Sequence, residues 1–146
     1  MVKAKEVMNT CVIAISKDED IIEAMRTMAL NNITGLPVVN DDGTLVGIIT
    51  EKDVLVLLYH GLEDSNIRDG LGKVGDFMTR KVICFNQEDN LSDIAECLST
   101  NDFRRVPILD SGKLVGIISR RDVIKHIRDI RQQDEVLKDS ILEILY

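Results

Sequence analysis

The chain contains an internal repeat. Pro37 of the first copy corresponds to Pro107 of the second at a displacement of 70 positions, and residues 8–39 follow this register. One residue is then lost in a turn, so that the stretch GIITEKD, Gly47–Asp53, matches the stretch GIISRRD, Gly116–Asp122. Self-similarity of this kind constrains the architecture before any propensity argument, because the two copies must adopt the same supersecondary unit.

Each copy begins with a predicted strand and an amphipathic helix. Helical spacing of apolar residues is seen in the first copy at Ile21, Met25 and Met28. Asp20 precedes this pattern and Glu23 follows three positions later, which predicts a capping box at the start of the helix. In the second copy Asn90 and Asp93 take the same two positions.

A predicted hairpin and a second helix complete each copy. The apolar runs Leu36–Val39 and Leu45–Ile49 are joined by an Asp/Gly turn, which is typical of a β-hairpin. Pro37 lacks an N–H group, so we expect it at a sheet edge or at the start of a strand. The second helix is predicted over residues 51–59, and over residues 120–127 in the second copy.

The predicted fold class is α/β (α+β), with two β-α-β-β-α repeats packed with pseudo-twofold symmetry. One copy of about 55 residues would bury too little surface to be stable by itself, so the two copies are expected to pack together. The predicted organisation of the chain is repeat 1 at residues 1–60, a linker at 61–72, repeat 2 at 73–128 and a C-terminal helix at 129–146.

The C-terminal helix is predicted to be amphipathic. Its apolar positions are separated by charged residues and are Ile130, Leu137, Ile141, Ile144 and Leu145. Two interpretations stay open for this stripe. It either closes the core of its own domain or forms a surface for a second copy or another partner.

Composition and charge exclude several classes of protein. The net charge is −7 and only five residues are Phe or Tyr, so nucleic-acid binding is not expected. The apolar runs are too short to span a bilayer and the N-terminus has no apolar signal core, which predicts a cytoplasmic protein without a membrane segment.

The cysteines and histidines do not suggest a metal site or a disulfide. Cys11, Cys84 and Cys97 have apolar neighbours and form no CxxC pair, so they are predicted to be buried, reduced thiols. His60 and His126 lie in no metal-ligand spacing such as HExxH. No metal site and no catalytic cofactor are therefore expected.

The order of the elements, the LPVV and VPIL strands and the Gly-Ile-Ile-Thr/Ser-x-x-Asp-Val corner resemble a tandem pair of CBS domains, also called a Bateman module. The resemblance covers roughly residues 3–128. It implies ligand sensing rather than catalysis, because paired CBS domains commonly bind AMP, ADP, ATP or S-adenosylmethionine in two clefts. It also implies a homodimer, since two such pairs often associate.

The resemblance assigns roles to residues at matching positions. The ribose would be held by Thr50 and Asp53 in one cleft and by Ser119 and Asp122 in the other. Apolar residues would enclose the base, and these are Ile13, Ile33, Ile48, Ile83, Phe103 and Ile117. Residues just before the LPV strand would meet the phosphate, and these are Thr34, Gly35, Arg104 and Arg105.

The corner motifs also have a purely structural interpretation. Thr50 with Asp53, and Ser119 with Asp122, have the spacing of a capping box at a helix start. A carboxylate also accepts two hydrogen bonds from a ribose diol in fork geometry, which is the functional interpretation. The repetition of the whole motif favours ligand binding, although one carboxylate cannot serve both roles fully.

The two clefts are predicted to be unequal. Arg104 and Arg105 of the second copy align with Thr34 and Gly35, and Arg120 and Arg121 align with Glu51 and Lys52. Guanidinium groups bind phosphate bidentately, so the cleft of Asp122, with Arg121 nearby, is expected to bind a nucleotide more tightly. The alternatives are that these arginines are solvated, that they pair with Asp102 and Asp110, or that Arg104 serves the opposite cleft.

The predicted function is therefore a regulatory module that senses an adenosine nucleotide and signals to an unidentified protein in trans. AMP, ADP or ATP are favoured over the cationic S-adenosylmethionine because of the arginines. One alternative is a sensor of S-adenosylmethionine or NAD, and another is an oligomerisation scaffold with unoccupied clefts. Catalysis is not expected, because no nucleophile is paired with a base and no glycine-rich phosphate loop is present.

Overall fold

The computed structural model describes residues 1–60 and 70–145. The first half of the chain contains a 3₁₀ turn, Ala4–Glu6, followed by β1 (Ile15–Ser16), α1 (Ile21–Asn31), β2 (Gly35–Val39), β3 (Leu45–Thr50) and α2 (Glu51–His60). The second half contains α3 (Val74–Phe77), β4 (Phe85–Asn86), α4 (Leu91–Thr100), β5 (Arg105–Asp110), β6 (Lys113–Ser119) and α5 (Arg120–Leu145). The predicted β-α-β-β-α order is confirmed in both copies, and the fold is a mixed α/β fold of two repeats.

Each repeat forms its own three-stranded sheet. In the first, β1 pairs parallel to β2, which pairs antiparallel to β3, and the order β1-β2-β3 recurs as β4-β5-β6. Both hairpins have a register irregularity after the equivalent residues Val38 and Ile108. The repeat seen in the sequence is therefore preserved down to the position of a bulge.

Pro37 lies neither in an edge strand nor at the start of a strand, so both expected locations are wrong, although its position is unpaired on one side. It is the third residue of β2, the central strand of its sheet, and it pairs with Ile48 of β3. The central strand tolerates proline because β1 is only two residues long and pairs with Val38 and Val39 alone. No strand therefore runs beside Pro37 on the β1 side, where an N–H group would have been needed.

The predicted cap by Asp20 is confirmed, but neither predicted capping box forms in full at the first helix of each repeat. The Asp20 carboxylate accepts a hydrogen bond from the Ile22 N–H at 2.8 Å, but Glu23 bonds to Arg26 instead of returning to Asp20. Asn90 accepts from the Lys3 ammonium group at 3.2 Å and makes no capping bond. A pair within α1 has replaced half of the motif in the first repeat, and a contact with the start of the chain has replaced the motif in the second.

Two separate hydrophobic clusters form the interior. Alternate strand residues point into each cluster, as expected for a sheet with one buried face. In the first repeat the fully buried residues include Ile21, Leu36, Val38 and Ile49. In the second they include Ile94, Val106, Ile108 and Ile118.

The repeats exchange short N-terminal segments. Ala4 and Met8, from the start of the chain, pack in the cluster of the second repeat, and Val74 and Met78 pack in the cluster of the first. Backbone bonds fix both segments, including Ala4 N–H to the Asp89 carbonyl at 2.9 Å. The predicted domain boundaries at 1–60 and 73–128 stay a prediction, but residues near both starts stabilise the other repeat.

The hairpin turns of the two repeats also contact each other. The Leu45 N–H donates to the Gly112 carbonyl at 3.1 Å, and the Leu114 N–H donates to the Gly43 carbonyl at 3.0 Å. This reciprocal pair agrees with the predicted pseudo-twofold relation between the repeats. Most of the predicted linker at 61–72 lies outside the described residues.

The predicted helix at the end of repeat 2 and the predicted C-terminal helix are one continuous helix, α5, of 26 residues. At 1.5 Å per residue it is about 39 Å long. Ile130, Ile141 and Leu142 on this helix are exposed. No helix in the described part of the chain is both long enough and apolar enough to cross a membrane.

Candidate functional site

The corner motifs lie where the last strand of each repeat runs into a helix. At the first corner, Asp53 Oδ2 accepts from the Thr50 N–H at 2.8 Å and from the Thr50 hydroxyl at 3.2 Å. At the second, Asp122 Oδ2 accepts from the Ser119 N–H at 2.8 Å and from the Ser119 hydroxyl at 2.9 Å. The Asp122 N–H also donates to the Ser119 hydroxyl at 3.1 Å, so the capping interpretation is confirmed at Ser119 in both directions.

The two corners differ in a third contact. Asp53 Oδ1 accepts a hydrogen bond from the Thr79 hydroxyl at 3.1 Å, across the boundary between the repeats. Asn9 holds the equivalent place beside the second corner, but its side chain accepts from the Cys11 N–H at 2.9 Å. Within the described residues, the bonds accepted by the Asp122 carboxylate all fall on Oδ2.

A cavity of about 490 Å³ lies between the repeats. The two hairpins contribute matching residues to it, because Pro37 and Ile48 are paired in one sheet and Pro107 and Ile117 are paired in the other. Its wall also carries residues of both charges, which are Glu51, Lys52, Asp102, Arg104 and Arg105. The cavity therefore combines apolar surfaces with three cationic and two anionic side chains.

Nine of the sequence-predicted site residues line this cavity, and they are Ile33, Thr34, Gly35, Ile48, Thr50, Phe103, Arg104, Arg105 and Ile117. The other six lie outside its lining, and they are Ile13, Asp53, Ile83, Ser119, Arg121 and Asp122. Asp53 and Asp122 stand at the helix starts that border the hairpins. Ile13 and Ile83 are 40% and 48% exposed on the segments before β1 and β4.

Strand register relates the arginines to the second corner. Arg105 lies directly opposite Ser119 across β5 and β6, as Gly35 lies opposite Thr50 across β2 and β3. Directly opposed residues share one face of a sheet, so Arg105 and Ser119 face the same side. The first repeat has no side chain at the matching position, because Gly35 stands there.

Arg104 and Arg105 do not form the ion pairs considered from the sequence. Among the side chains that the structure describes, neither arginine forms an ion pair with Asp102 or Asp110. Both arginines are exposed on the cavity side. Their guanidinium groups are therefore accessible to an anion that enters the cavity.

Arg120 bonds to the protein backbone, so the expectation that it would bind phosphate together with the other arginines of the second repeat is wrong. Its Nε donates to the Leu98 carbonyl at 3.0 Å, and its Nη2 donates to the Asn101 carbonyl. These carbonyls end helix α4, whose last turn leaves acceptors without partners inside the helix. Arg120 caps the helix, whereas Arg121 is exposed on the first turn of α5.

Sequence reasoning missed two groups of residues near the site. The first group lines the cavity, and its members are Asn32, Pro37, Glu51, Lys52, Asp102 and Pro107. Cross-strand pairing with Ile48 and Ile117 was the signal that could have found both prolines. The second group is the segment that begins at Thr79. Thr79 aligns with Asn9 at the displacement of 70 positions, and the two residue types differ. This difference between the copies was the signal that could have identified Thr79, and Arg80 and Lys81 follow it in the chain.

The cysteines are free thiols as predicted, but the prediction that they are buried is wrong for two of them. Cys11 and Cys84 are exposed and Cys97 is half-buried. Cys11 and Cys84 lie in extended segments before β1 and β4, outside the two hydrophobic clusters. Partial desolvation raises the pKa of the Cys84 thiol.

Comparison with known proteins places this arrangement in a family. A family model of the CBS domain matches residues 4–60 and 74–129. The chain is 37% identical over 121 residues to the uncharacterized protein MJ1225 of Methanocaldococcus jannaschii. That alignment covers 83% of the chain but 41% of MJ1225, so the chain spans less than half of this relative.

Two solved structures share the fold of nearly the whole chain. CBSX2 of Arabidopsis thaliana in complex with AMP has a TM-score of 0.75 at 30% identity, over 88% of the chain and 98% of CBSX2. The CBS domain pair of MJ0100, in complex with 5'-methylthioadenosine and S-adenosyl-L-methionine, has a TM-score of 0.69 at 26% identity, over 88% and 97%. CBS domains are regulatory and are not catalytic by themselves. The family match covers both repeats, and the chain belongs to the CBS domain family as a tandem pair of CBS domains.

Proposed function

We propose that this chain is a regulatory module that binds an adenosine nucleotide, AMP, ADP or ATP, between its two CBS domains. The observation that carries the proposal is the shared cavity, in which Arg104 and Arg105 lie with the paired apolar residues Ile48 and Ile117. The AMP complex of CBSX2 supports the ligand class, because that protein shares the fold over 88% of the chain.

The proposed binding mode divides the nucleotide among three kinds of group. A purine ring requires flat apolar walls, which Ile117 and Phe103 supply in the cavity. A ribose diol requires acceptors in fork geometry, and Asp122 presents Oδ1 beyond its capping bonds. The phosphate requires a cation within reach of that ribose, and Arg105 lies across the sheet from Ser119.

The Asp122 cleft is proposed as the tighter of the two. Arg105 supports this choice because Gly35 takes its place at the first corner. An arginine fork can bind phosphate through two parallel hydrogen bonds, which a glycine cannot replace. Arg104 and Arg105 also share the cavity with Thr50, so they could instead bind the phosphate of a nucleotide whose ribose is held by Asp53. The Asp53→Asn variant in the experiment below tests this second arrangement.

The test is calorimetric titration of AMP into the wild-type chain and into Arg105→Ala, Asp122→Asn and Asp53→Asn. Arg105→Ala is expected to weaken binding by about tenfold to a hundredfold, since a hydrogen bond to a charged group contributes roughly 1.5–3 kcal/mol. Arg26→Ala is the matched control, because Arg26 is an exposed arginine on α1 that pairs with Glu23 outside the cavity.

Three results would contradict parts or all of the proposal. Unchanged AMP affinity in Arg105→Ala would remove the phosphate role of this residue. A loss of binding in Asp53→Asn but not in Asp122→Asn would assign the tighter site to the first corner. Failure of the wild-type chain to bind any adenosine nucleotide would remove the proposed function itself.

S-adenosylmethionine is the second candidate ligand. The MJ0100 pair was solved with this compound, and the cavity of the present chain also carries the carboxylates Glu51 and Asp102. A carboxylate would favour the cationic sulfonium group, whereas the arginines would disfavour it. Titrating S-adenosylmethionine beside AMP separates the two, because Arg105→Ala should weaken AMP binding and leave or strengthen binding of the sulfonium compound.

A scaffold with unoccupied clefts predicts no ligand effect. Any compound that binds the folded state must raise the melting temperature. A thermal shift with AMP, ATP, NAD and S-adenosylmethionine therefore distinguishes a sensor from a scaffold. No shift with all four would favour the scaffold.

We also propose that the chain forms a homodimer and signals to a partner protein in trans. Leu55 of α2 and Ile124 of α5 are equivalent in the two repeats, and they are 51% and 67% exposed. Val56 and Ile127 extend the same apolar surfaces. Such patches are typical of interfaces, and a pseudo-symmetric pair of them suits an isologous dimer. A nucleotide could alter what the partner protein receives only if it binds one conformation of the dimer more tightly than another.

A further inference from the structure

The Asp53 carboxylate is engaged by the protein through both of its oxygens. Oδ2 accepts two hydrogen bonds from Thr50, and Oδ1 accepts one from the Thr79 hydroxyl at 3.1 Å. An ionised carboxylate has about four acceptor positions. Three of them are therefore used at Asp53, which leaves one.

The position of Thr79 is set by the backbone. Its N–H donates to the Ile48 carbonyl at 2.8 Å, and its carbonyl accepts from the Ile48 N–H at 2.9 Å. This bridge joins the exchanged segment of the second repeat to strand β3 of the first, close to the strand end that leads to Asp53. The hydroxyl is thereby held beside the carboxylate by the fold.

The second corner has the same bridge but a different side chain. Asn9 donates its N–H to the Ile117 carbonyl at 2.9 Å and accepts from the Ile117 N–H at 3.0 Å. Its side-chain oxygen bonds to the Cys11 N–H and not to Asp122. Among the described residues, Asp122 accepts two hydrogen bonds, both on Oδ2, so two acceptor positions remain on Oδ1.

We propose that Thr79 is a specificity-determining residue that makes the two nucleotide clefts unequal. A ribose 2',3'-diol can donate two hydrogen bonds to the free acceptor positions of one carboxylate. Asp122 has two positions for them, whereas Asp53 has one and must release the Thr79 hydroxyl to accept both. Thr79 therefore acts as an internal competitor for the ribose at the first corner. This inference rests on the proposed binding of an adenosine nucleotide.

The test measures binding at the first corner alone. In the background Asp122→Asn, which weakens the second corner, AMP is titrated into Thr79→Val and into Thr79→Ser. Valine keeps the branched shape and removes the hydroxyl, whereas serine keeps the hydroxyl. Thr79→Val is expected to bind AMP about three- to tenfold more tightly than Thr79→Ser, the range of one net hydrogen bond.

The reciprocal substitution tests the same mechanism at the other corner. Asn9→Thr, in an otherwise wild-type chain, places a hydroxyl at the position equivalent to Thr79, and Asn9→Val is its matched control. Asn9→Thr is expected to weaken AMP binding relative to Asn9→Val by about the same three- to tenfold. Repeating both titrations with 2'-deoxy-AMP should reduce each difference, because that probe donates one fewer hydroxyl group.

The outcomes separate this inference from the proposed function. Equal affinity of Thr79→Val and Thr79→Ser, with AMP binding otherwise intact, overturns the inference and leaves the proposed function standing. Absence of AMP binding by the wild-type chain overturns both. Thermal unfolding of each variant checks that it folds, and the Asn9 pair decides the question if Thr79→Val does not fold.

Discussion

Gly116 and Met8 occupy adjoining space that leaves no room for a Cβ on the glycine. Such an atom would stand 2.5 Å from the Met8 sulfur and 2.9 Å from its Cβ. Gly47 has the same relation to the other exchanged segment, where a Cβ would stand 2.8 Å from both the Met78 sulfur and the Thr79 carbonyl oxygen. The glycine of each corner motif is therefore required by the segment that arrives from the other repeat.

Gly47→Ala is expected to destabilise the chain more than Gly116→Ala. The three atoms nearest to a new Cβ at position 116 all belong to Met8, whose sulfur can rotate away although its Cβ cannot. At position 47 one of them is the Thr79 backbone carbonyl oxygen, which is held by its bond from the Ile48 N–H. We expect losses of about 1 kcal/mol for Gly116→Ala and about 3 kcal/mol for Gly47→Ala, within the range for overpacked cores. Urea unfolding measures both. Gly35→Ala is the control, since a Cβ on Gly35 would stand 3.4 Å from its nearest neighbour, the Thr50 side chain. A larger loss of stability in Gly116→Ala than in Gly47→Ala would contradict the prediction.

Arg120→Ala is expected to lower the free energy of unfolding by about 1 kcal/mol, because it removes the cap on the last carbonyls of α4. Helix α1 of the first repeat ends differently. Asn32 adopts the left-handed conformation there, with φ 51°, and the Ile33 N–H bonds to the Met28 carbonyl.

Glu51→Ala, at the position equivalent to Arg120, is the matched control and should cause no comparable loss. Arg120→Lys should recover part of the stability, since it keeps the charge but not the planar fork. Chemical unfolding followed by circular dichroism measures all three variants. If Arg120→Ala and Glu51→Ala lower the free energy of unfolding equally, the two hydrogen bonds from Arg120 to the end of α4 do not stabilise the fold.

Acidification is expected to remove the contribution of Asp42 to stability. The Thr44 N–H bonds to the Asp42 carboxylate at 3.0 Å and lowers the pKa of that carboxyl below its ordinary value of 3.8. A carboxyl with a lowered pKa in the folded state stabilises it fully above pH 3.8 and loses this effect as the pH falls through the folded-state pKa.

The urea midpoint of the wild-type chain should therefore exceed that of Asp42→Asn at pH 6, and this difference should shrink towards pH 3. Asp41→Asn is the control, because it removes the same charge from the neighbouring residue. A difference between wild type and Asp42→Asn that does not change with pH would contradict the prediction.

A charge in the apolar surface of α2 and α5 is expected to dissociate the proposed homodimer. Leu55→Glu and Ile124→Glu should each reduce the molar mass measured by light scattering at micromolar concentration, since a buried unpaired charge is costly. Leu30→Glu is the control, because Leu30 is 78% exposed on α1 and does not belong to α2 or α5. A monomeric wild-type chain would remove the proposal.

Much of the fold could be predicted because its signals are local. The alternation of Leu36, Val38 and Ile49 with outward-facing residues, and the helical spacing of Ile21 and Met28, are readable within a few residues. The residues that line the cavity follow from the same alternation, since Ile48 and Ile117 are neighbours of buried strand residues. The location of Pro37 in a central strand could not be predicted, because it depends on how far β1 extends.

The repeat, the order of strands and helices in each copy, and the residue types at the two corners were determined by the sequence alone. Only the tertiary structure decided that Met8 and Met78 pack in opposite repeats, that Arg120 caps α4, and that Thr79 bonds to Asp53. The physical reason is that these contacts join residues distant in the chain. Local periodicity does not record them, because each depends on the position at which two folded repeats meet.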